Sequence, residues 1–141
     1  MHFCPLNVLV ISTVCFLVSP FANAQDCPGP NNPANQLEMN FCAAEAFHQA
    51  EKSLQSVYQE IRIRVTTDPA FLAMLDSSTS SWAAYRDAQC NFALGPQAGG
   101  SSEPWARFTC KERLTRLRID EMRAFLTCEE GSFLCGVPVP Y

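Results

Sequence analysis

TTDPAF, residues 66–71, decides how a long helical pattern folds. Proline cannot donate the amide hydrogen bond that a helix interior needs, but it suits the first helical position, and an aspartate before it caps the free amides there. Asp68 and Pro69 therefore close one helix and open another. On the N-terminal side, apolar residues recur at Met39, Cys42, Ala46, Ala50, Leu54, Val57, Ile61 and Val65, the three- and four-residue steps of one helix face running from about Pro33 to Val65. On the C-terminal side a second stripe passes through Phe71, Leu75, Ser78, Trp82, Tyr85 and Gln89 and ends near Phe92. GPQAGGSSEP, residues 95–104, then breaks the chain with glycine and proline. Ser102, Glu103 and Pro104 start a third helix, whose apolar side carries Phe108, Leu114, Leu117, Met122 and Phe125 to about Thr127. Three helices with short connections predict an all-α fold, a three-helix antiparallel bundle running up-down-up.

Residues 1–24 hold an apolar run from Leu6 and end in Ala22, Asn23 and Ala24, the pattern of a cleaved secretory signal peptide. The run is shorter than the roughly 20 apolar residues of a membrane span, so the reading predicts a periplasmic or secreted chain with no membrane attachment after cleavage. Beyond residue 24 stand Cys27, Cys42, Cys90, Cys110, Cys128 and Cys135. In an exported chain an even cysteine count reads as disulfides, and with no C-x-x-C pair and only His48 left, no metal or other cofactor is expected. The first four cysteines gather at one end of the bundle. Four cysteines allow three pairings; the favoured one closes short local loops, Cys27 with Cys42 and Cys90 with Cys110, while Cys128 with Cys135 staples a tail over residues 128–141 at the other end.

Fourteen acidic against ten basic residues give a net charge of −4, which argues against nucleic acid and suits a cationic partner. The charge is uneven. Residues 26–60 hold Asp26, Glu38, Glu45, Glu51 and Glu60 against Lys52 alone, whereas residues 107–123 are mainly basic. Complementary charge between neighbouring helices accounts for this split, and a partner surface is the sharper reading. No catalytic constellation stands out: His48 is isolated, the serines Ser77, Ser78, Ser80 and Ser81 lack a nucleophile elbow and read as a low-volume helix contact, and the acids form no distinctive pair. The reading predicts a monomeric protein that is not an enzyme.

WAAYRDAQC, residues 82–90, is the densest local pattern. Trp82, Tyr85 and Arg86 share a helix face while Asp87 points elsewhere. The expectation is Trp82 in the core, Tyr85 half-buried, Arg86 at the core edge paired with Glu38, and Asp87 meeting Lys111 or Arg118. The loop that follows offers Gly99, Gly100, Ser101, Ser102, Glu103 and Trp105 on a disulfide-closed segment, and a loop so restrained loses little further entropy on docking.

Together with DC, ANQLEMNFC, the GGS loop, Cys110 and the RLT…R…EM run, this stretch resembles the lysozyme inhibitor LprI-like N-terminal domain family over about residues 26–125. The family pattern falls on Gln36, Glu38, Cys42, Trp82, Tyr85, Arg86, Asp87, Cys90, Cys110, Thr115 and Arg118. Where many members have an Asp-x-x-Leu-Asn run in the first helix, this chain has Glu51, Leu54 and Gln55. The resemblance implies an LprI-like helical domain over residues 25–127, exported, acting on a protein partner. The expected activity is occlusion of the cleft of a cationic, lysozyme-like cell-wall hydrolase; the alternative is a non-inhibitory envelope protein with a structural or stress-related role.

Overall fold

A computed structural model describes residue 27 and residues 35–95, 98–128 and 135–137. The expected signal segment and the expected helix start at Pro33 lie outside these, as does most of the tail. Three helices follow one another: α1 is Gln36–Arg64, α2 is Pro69–Leu94 and α3 is Glu103–Leu126. No strand occurs among the described residues, and no described helix is long and apolar enough to cross a membrane.

Local chemistry sets most of the ends. Asn35 and Glu38 form a capping box on α1, the Asn35 side chain accepting from the Glu38 amide at 3.0 Å and the Glu38 carboxylate accepting from the Asn35 amide at 3.2 Å. Asp68 accepts from the Phe71 amide at 2.9 Å, with Pro69 in the first turn, as TTDPAF predicts. The start of α3 is different. Ser102 makes no capping bond. Instead Asn40 of α1 accepts from the Trp105 amide at 3.1 Å and donates to the Ser101 carbonyl at 3.0 Å. At the opposite end, Arg64 of α1 donates to the Leu126 carbonyl of α3 at 2.8 Å. Each terminus of α3 thus has one of its orphan backbone groups satisfied by α1, which ties the two helices parallel and in register.

α1 and α3 pack together most closely, α2 runs antiparallel against α3, and α1 and α2 approach each other far less. The main core joins Leu54, Val57, Tyr58, Ile61 and Val65 of α1 and its C-terminal end to Leu75 of α2 and Ile119 and Met122 of α3. Val137 is inserted into the same core, and the Gly136 position lies against the Phe71 ring, where a Cβ would come within 3.0 Å. All three favoured disulfides are present: Cys27–Cys42, Cys90–Cys110 and Cys128–Cys135.

The apolar stripes need correction on α2 and α3. Ser78 and Tyr85 face solvent, Tyr85 with 56% exposure, and the buried line runs instead through Leu75, Arg86, Cys90 and Leu94. On α3 the buried residues are Thr115, Ile119 and Met122, while Leu117 is exposed. One residue turns a helix by about 100°, so a stripe traced on large apolar residues alone slides off the face that the neighbouring helix selects. Small Thr115 and Cys90 are fully buried where α3 needs close approach. Thr115 satisfies its hydroxyl by donating to the Lys111 carbonyl at 2.8 Å. The serine run is also no packed contact: all four serines are exposed, Ser80 bonding back to its own helix and Ser78 accepting from Arg118.

Candidate functional site

Arg86 is the least expected buried residue, at 7% exposure. Its Nη1 donates to Glu51 of α1 at 2.8 Å and its Nε to the adjacent Asp87 at 2.9 Å. The guanidinium carbon lies 4.9 Å from the Phe47 ring centre and 5.2 Å from that of Trp82. A planar cation held between two rings and two carboxylates has both its charge and its donors compensated, which is what permits burial. The expected Glu38 partner is therefore wrong. Glu38 is engaged in the α1 cap and lies 13 residues before Glu51, about 20 Å along the helix axis.

Asp87 does meet Lys111, at 3.1 Å, but it also joins Arg86 instead of pointing away from it. Arg118 turns to other groups, donating to Tyr58 Oη at 3.2 Å, Ser78 Oγ at 2.9 Å and Glu121 at 2.9 Å, with its guanidinium carbon 5.9 Å from the Trp82 ring centre. Burial works against its charge, yet the hydrogen bonds with Tyr58 and Glu121 raise its hold on the proton. Trp82 is thus flanked by Arg86 and Arg118, half-buried against the main core.

Partial burial pushes the Asp87 carboxyl up, but hydrogen bonds from Lys111 and Arg86 outweigh it and hold the group below the usual aspartate value. A carboxyl depressed in the folded state contributes stability above its unfolded pKa, near 4, and loses that contribution as pH falls through the folded value. We therefore expect the melting temperature to decline below about pH 4, and Asp87→Asn to flatten part of that decline while lowering stability at neutral pH. Thermal unfolding followed by circular dichroism across pH 2–7 checks this; an acid limb identical in the variant refutes it.

The gap between α1 and α2 forms an open groove of about 510 Å³, lined among others by Glu51, Leu54 and Gln55 of α1 and by Trp82 and Arg86 of α2. It continues, through shared Gln55, Tyr58 and Thr79, into a second hollow of about 240 Å³ toward Arg62 and Asp76. An Arg86–Glu51 ion pair crosses it at one end and an Arg62–Asp76 pair at the other. These long polar side chains connect helices whose backbones stay apart.

At the disulfide end lies the loop singled out in the sequence. Gly99 has φ of +91°, a left-handed conformation that favours glycine, and its amide donates to Glu103. Glu103 also accepts from Arg107; that bond and the one from Gly99 hold its carboxyl below the usual range. Ser101 and Trp105 are tied to Asn40, and Trp105 keeps 40% exposure. Nearby in the chain's fold, Leu37 and Phe41, which flank Asn40 on α1, are 77% and 51% exposed. These two and Asn40 lie within ANQLEMNFC but were not read as site residues, because only the position of the loop reveals their neighbourhood.

Residues 27–122 match the sequence profile of a family described as lysozyme inhibitor LprI. The chain belongs to the lysozyme inhibitor LprI family. A protein of Rhizobium meliloti (strain 1021), described as uncharacterized, is 29% identical over 123 aligned residues, covering 78% of this chain and 88% of that protein. No solved structure matches. Set on the fold, seven of the residues that carry the resemblance gather in three places. Gln36, Glu38 and Cys42 organise the start of α1, with Gln36 donating to Asn40 at 2.9 Å. Cys90 and Cys110 close the loop. Trp82 and Arg86 meet Glu51, Leu54 and Gln55 in the α1/α2 groove, a convergence of segments about thirty residues apart that spacing alone does not disclose.

Proposed function

We propose that this protein acts outside the cytoplasm as an inhibitor of a lysozyme-like, cationic cell-wall hydrolase, using the loop at Gly99–Ser102 with Glu103 and Trp105 of the first turn of α3 to occlude the enzyme's cleft. The observation that carries the reading is family membership combined with a restrained, exposed loop. Cys90–Cys110 closes it, Asn40 fastens it to α1, and Glu103 braces Gly99 from within. A loop held in one conformation before docking forfeits little entropy on binding, and a partly exposed tryptophan is the side-chain type most enriched among dominant contacts. Leu37 and Phe41 extend the same end with apolar surface. Three disulfides suit an oxidising compartment. The acidic balance of the chain hastens encounter with a basic enzyme.

The test is a cell-wall turbidity assay with oxidised protein lacking residues 1–24 against several lysozyme classes. Inhibition is expected for at least one class, and Trp105→Ala should weaken it by about tenfold or more with unchanged melting temperature. Absence of inhibition together with absence of calorimetric binding at high micromolar concentration rejects the reading and leaves the non-inhibitory envelope role. Inhibition that survives Trp105→Ala unchanged moves the contact away from the loop.

A further inference from the structure

We propose that the α1/α2 groove is a second binding site, for an oligosaccharide bearing a carboxylate. The groove runs from Glu51 to Arg62 along α1, eleven residues or about 16 Å of helix, which suits a short chain of sugars better than a single ring. Leu54, Tyr58 and Trp82 give it an apolar, partly aromatic floor, while Gln55, Gln59 and Thr79 supply amide and hydroxyl groups along its walls. Sugars present apolar C–H patches and hydrogen-bonding edges together, and a mostly apolar groove with a few polar groups is the complementary surface. Trp82 is held in place by the guanidiniums of Arg86 and Arg118, and Tyr58 by its bond from Arg118, so the floor needs no rearrangement to receive a ligand.

Charge decides what kind of sugar. Glu51 is compensated by Arg86 and Asp76 by Arg62, leaving Lys52 as the lining cation with no carboxylate partner among the described residues. The lining therefore carries one net positive charge, which attracts a carboxylate and disfavours a cationic protein. The inference is independent of the inhibitory reading, since its residues lie on other elements than the loop.

The chain has two tryptophans, so Trp105→Phe leaves Trp82 as the sole indole reporter. Its emission is to be followed while adding tetra-N-acetylchitotetraose or, separately, a tetrasaccharide of alternating N-acetylglucosamine and N-acetylmuramic acid. A saturable change is expected with both, at several-fold lower concentration for the carboxylate-bearing sugar. Lys52→Gln should abolish that preference, and Gln55→Ala should weaken both by about fivefold, the scale of one hydrogen bond. Both positions are exposed, and an unchanged melting temperature confirms folding. No saturable change with either sugar up to about 10 mM, the weak end of specific affinity, overturns the proposal. So does a Trp82 signal that varies with protein concentration alone, which makes a second copy the occupant. Loss of hydrolase inhibition in Lys52→Gln or Gln55→Ala overturns it as well, because the groove then belongs to the protein interface; failure of inhibition in the parent chain leaves it intact.

Discussion

Arg86→Ala is expected to cost about 3 kcal/mol of folding free energy, the low end for breaking a buried charge pair. For a domain of this size that lowers the melting temperature by more than about 10 °C. The side chain joins Glu51 on α1 to Asp87 on α2 and stacks beside Phe47 and Trp82. Removing it leaves a hole between two rings and takes away the strut across the α1/α2 gap. The cost stays below that of a fully buried pair because Glu51 and Asp87 are both more than a third exposed and regain water when abandoned. Arg86→Lys should recover part of the loss, since an ammonium keeps the charge but cannot serve two carboxylates with a planar fork. A double-mutant cycle of Arg86→Ala with Glu51→Gln isolates the pair itself. A melting temperature within two or three degrees of the parent would remove Arg86 from its structural role and make it a candidate ligand contact.

Replacing Cys90 and Cys110 together by alanine is expected to cost about 3 kcal/mol from loop closure alone. The bridge spans 20 residues of chain. Cys90 is fully buried, so alanine there also forfeits packing around the lost sulfur. The corresponding change at Cys128 and Cys135, separated by seven residues, should cost less, because a shorter loop has less entropy to lose when closed. Urea unfolding of the two double variants gives the order directly, and equal midpoints would contradict it. The Cys90/Cys110 variant also separates two anchors of the loop. Asn40 still fastens Ser101 and Trp105 without the disulfide. Under conditions where the variant remains folded, inhibition weakened but not abolished is the outcome that two independent anchors predict.

The order and ends of the helices were legible because they depend on neighbours in the chain. Asp68 and Pro69 act within one turn of each other. The cysteine pairs close short segments, so local proximity pointed to the right partners. Trp82 against the core and Asp87 with Lys111 also followed from spacing and from which helices must be adjacent.

Partners and faces were not legible in the same way. Arg86 could be placed at a core edge, but its level against α1 depends on how far α1 slides past α2, and a shift of a few turns exchanges Glu38 for Glu51. Ser102 looked like a cap for α3, yet a side chain from α1 took that task, because Asn40 reaches both the Trp105 amide and the Ser101 carbonyl once the helices lie parallel. Tyr85 and Leu117 were assigned inward on hydrophobicity, and small or polar Thr115, Cys90 and Arg86 took the inner positions instead. The sequence by itself determined three helices, the Asp68 cap and proline that open the second, and their short connections, and it favoured the observed staples, since caps, prolines and short loops act over a few residues. Only the tertiary structure decided which faces meet, which charges pair and that α1 and α2 leave a groove between them, because those depend on the relative slide and rotation of whole helices.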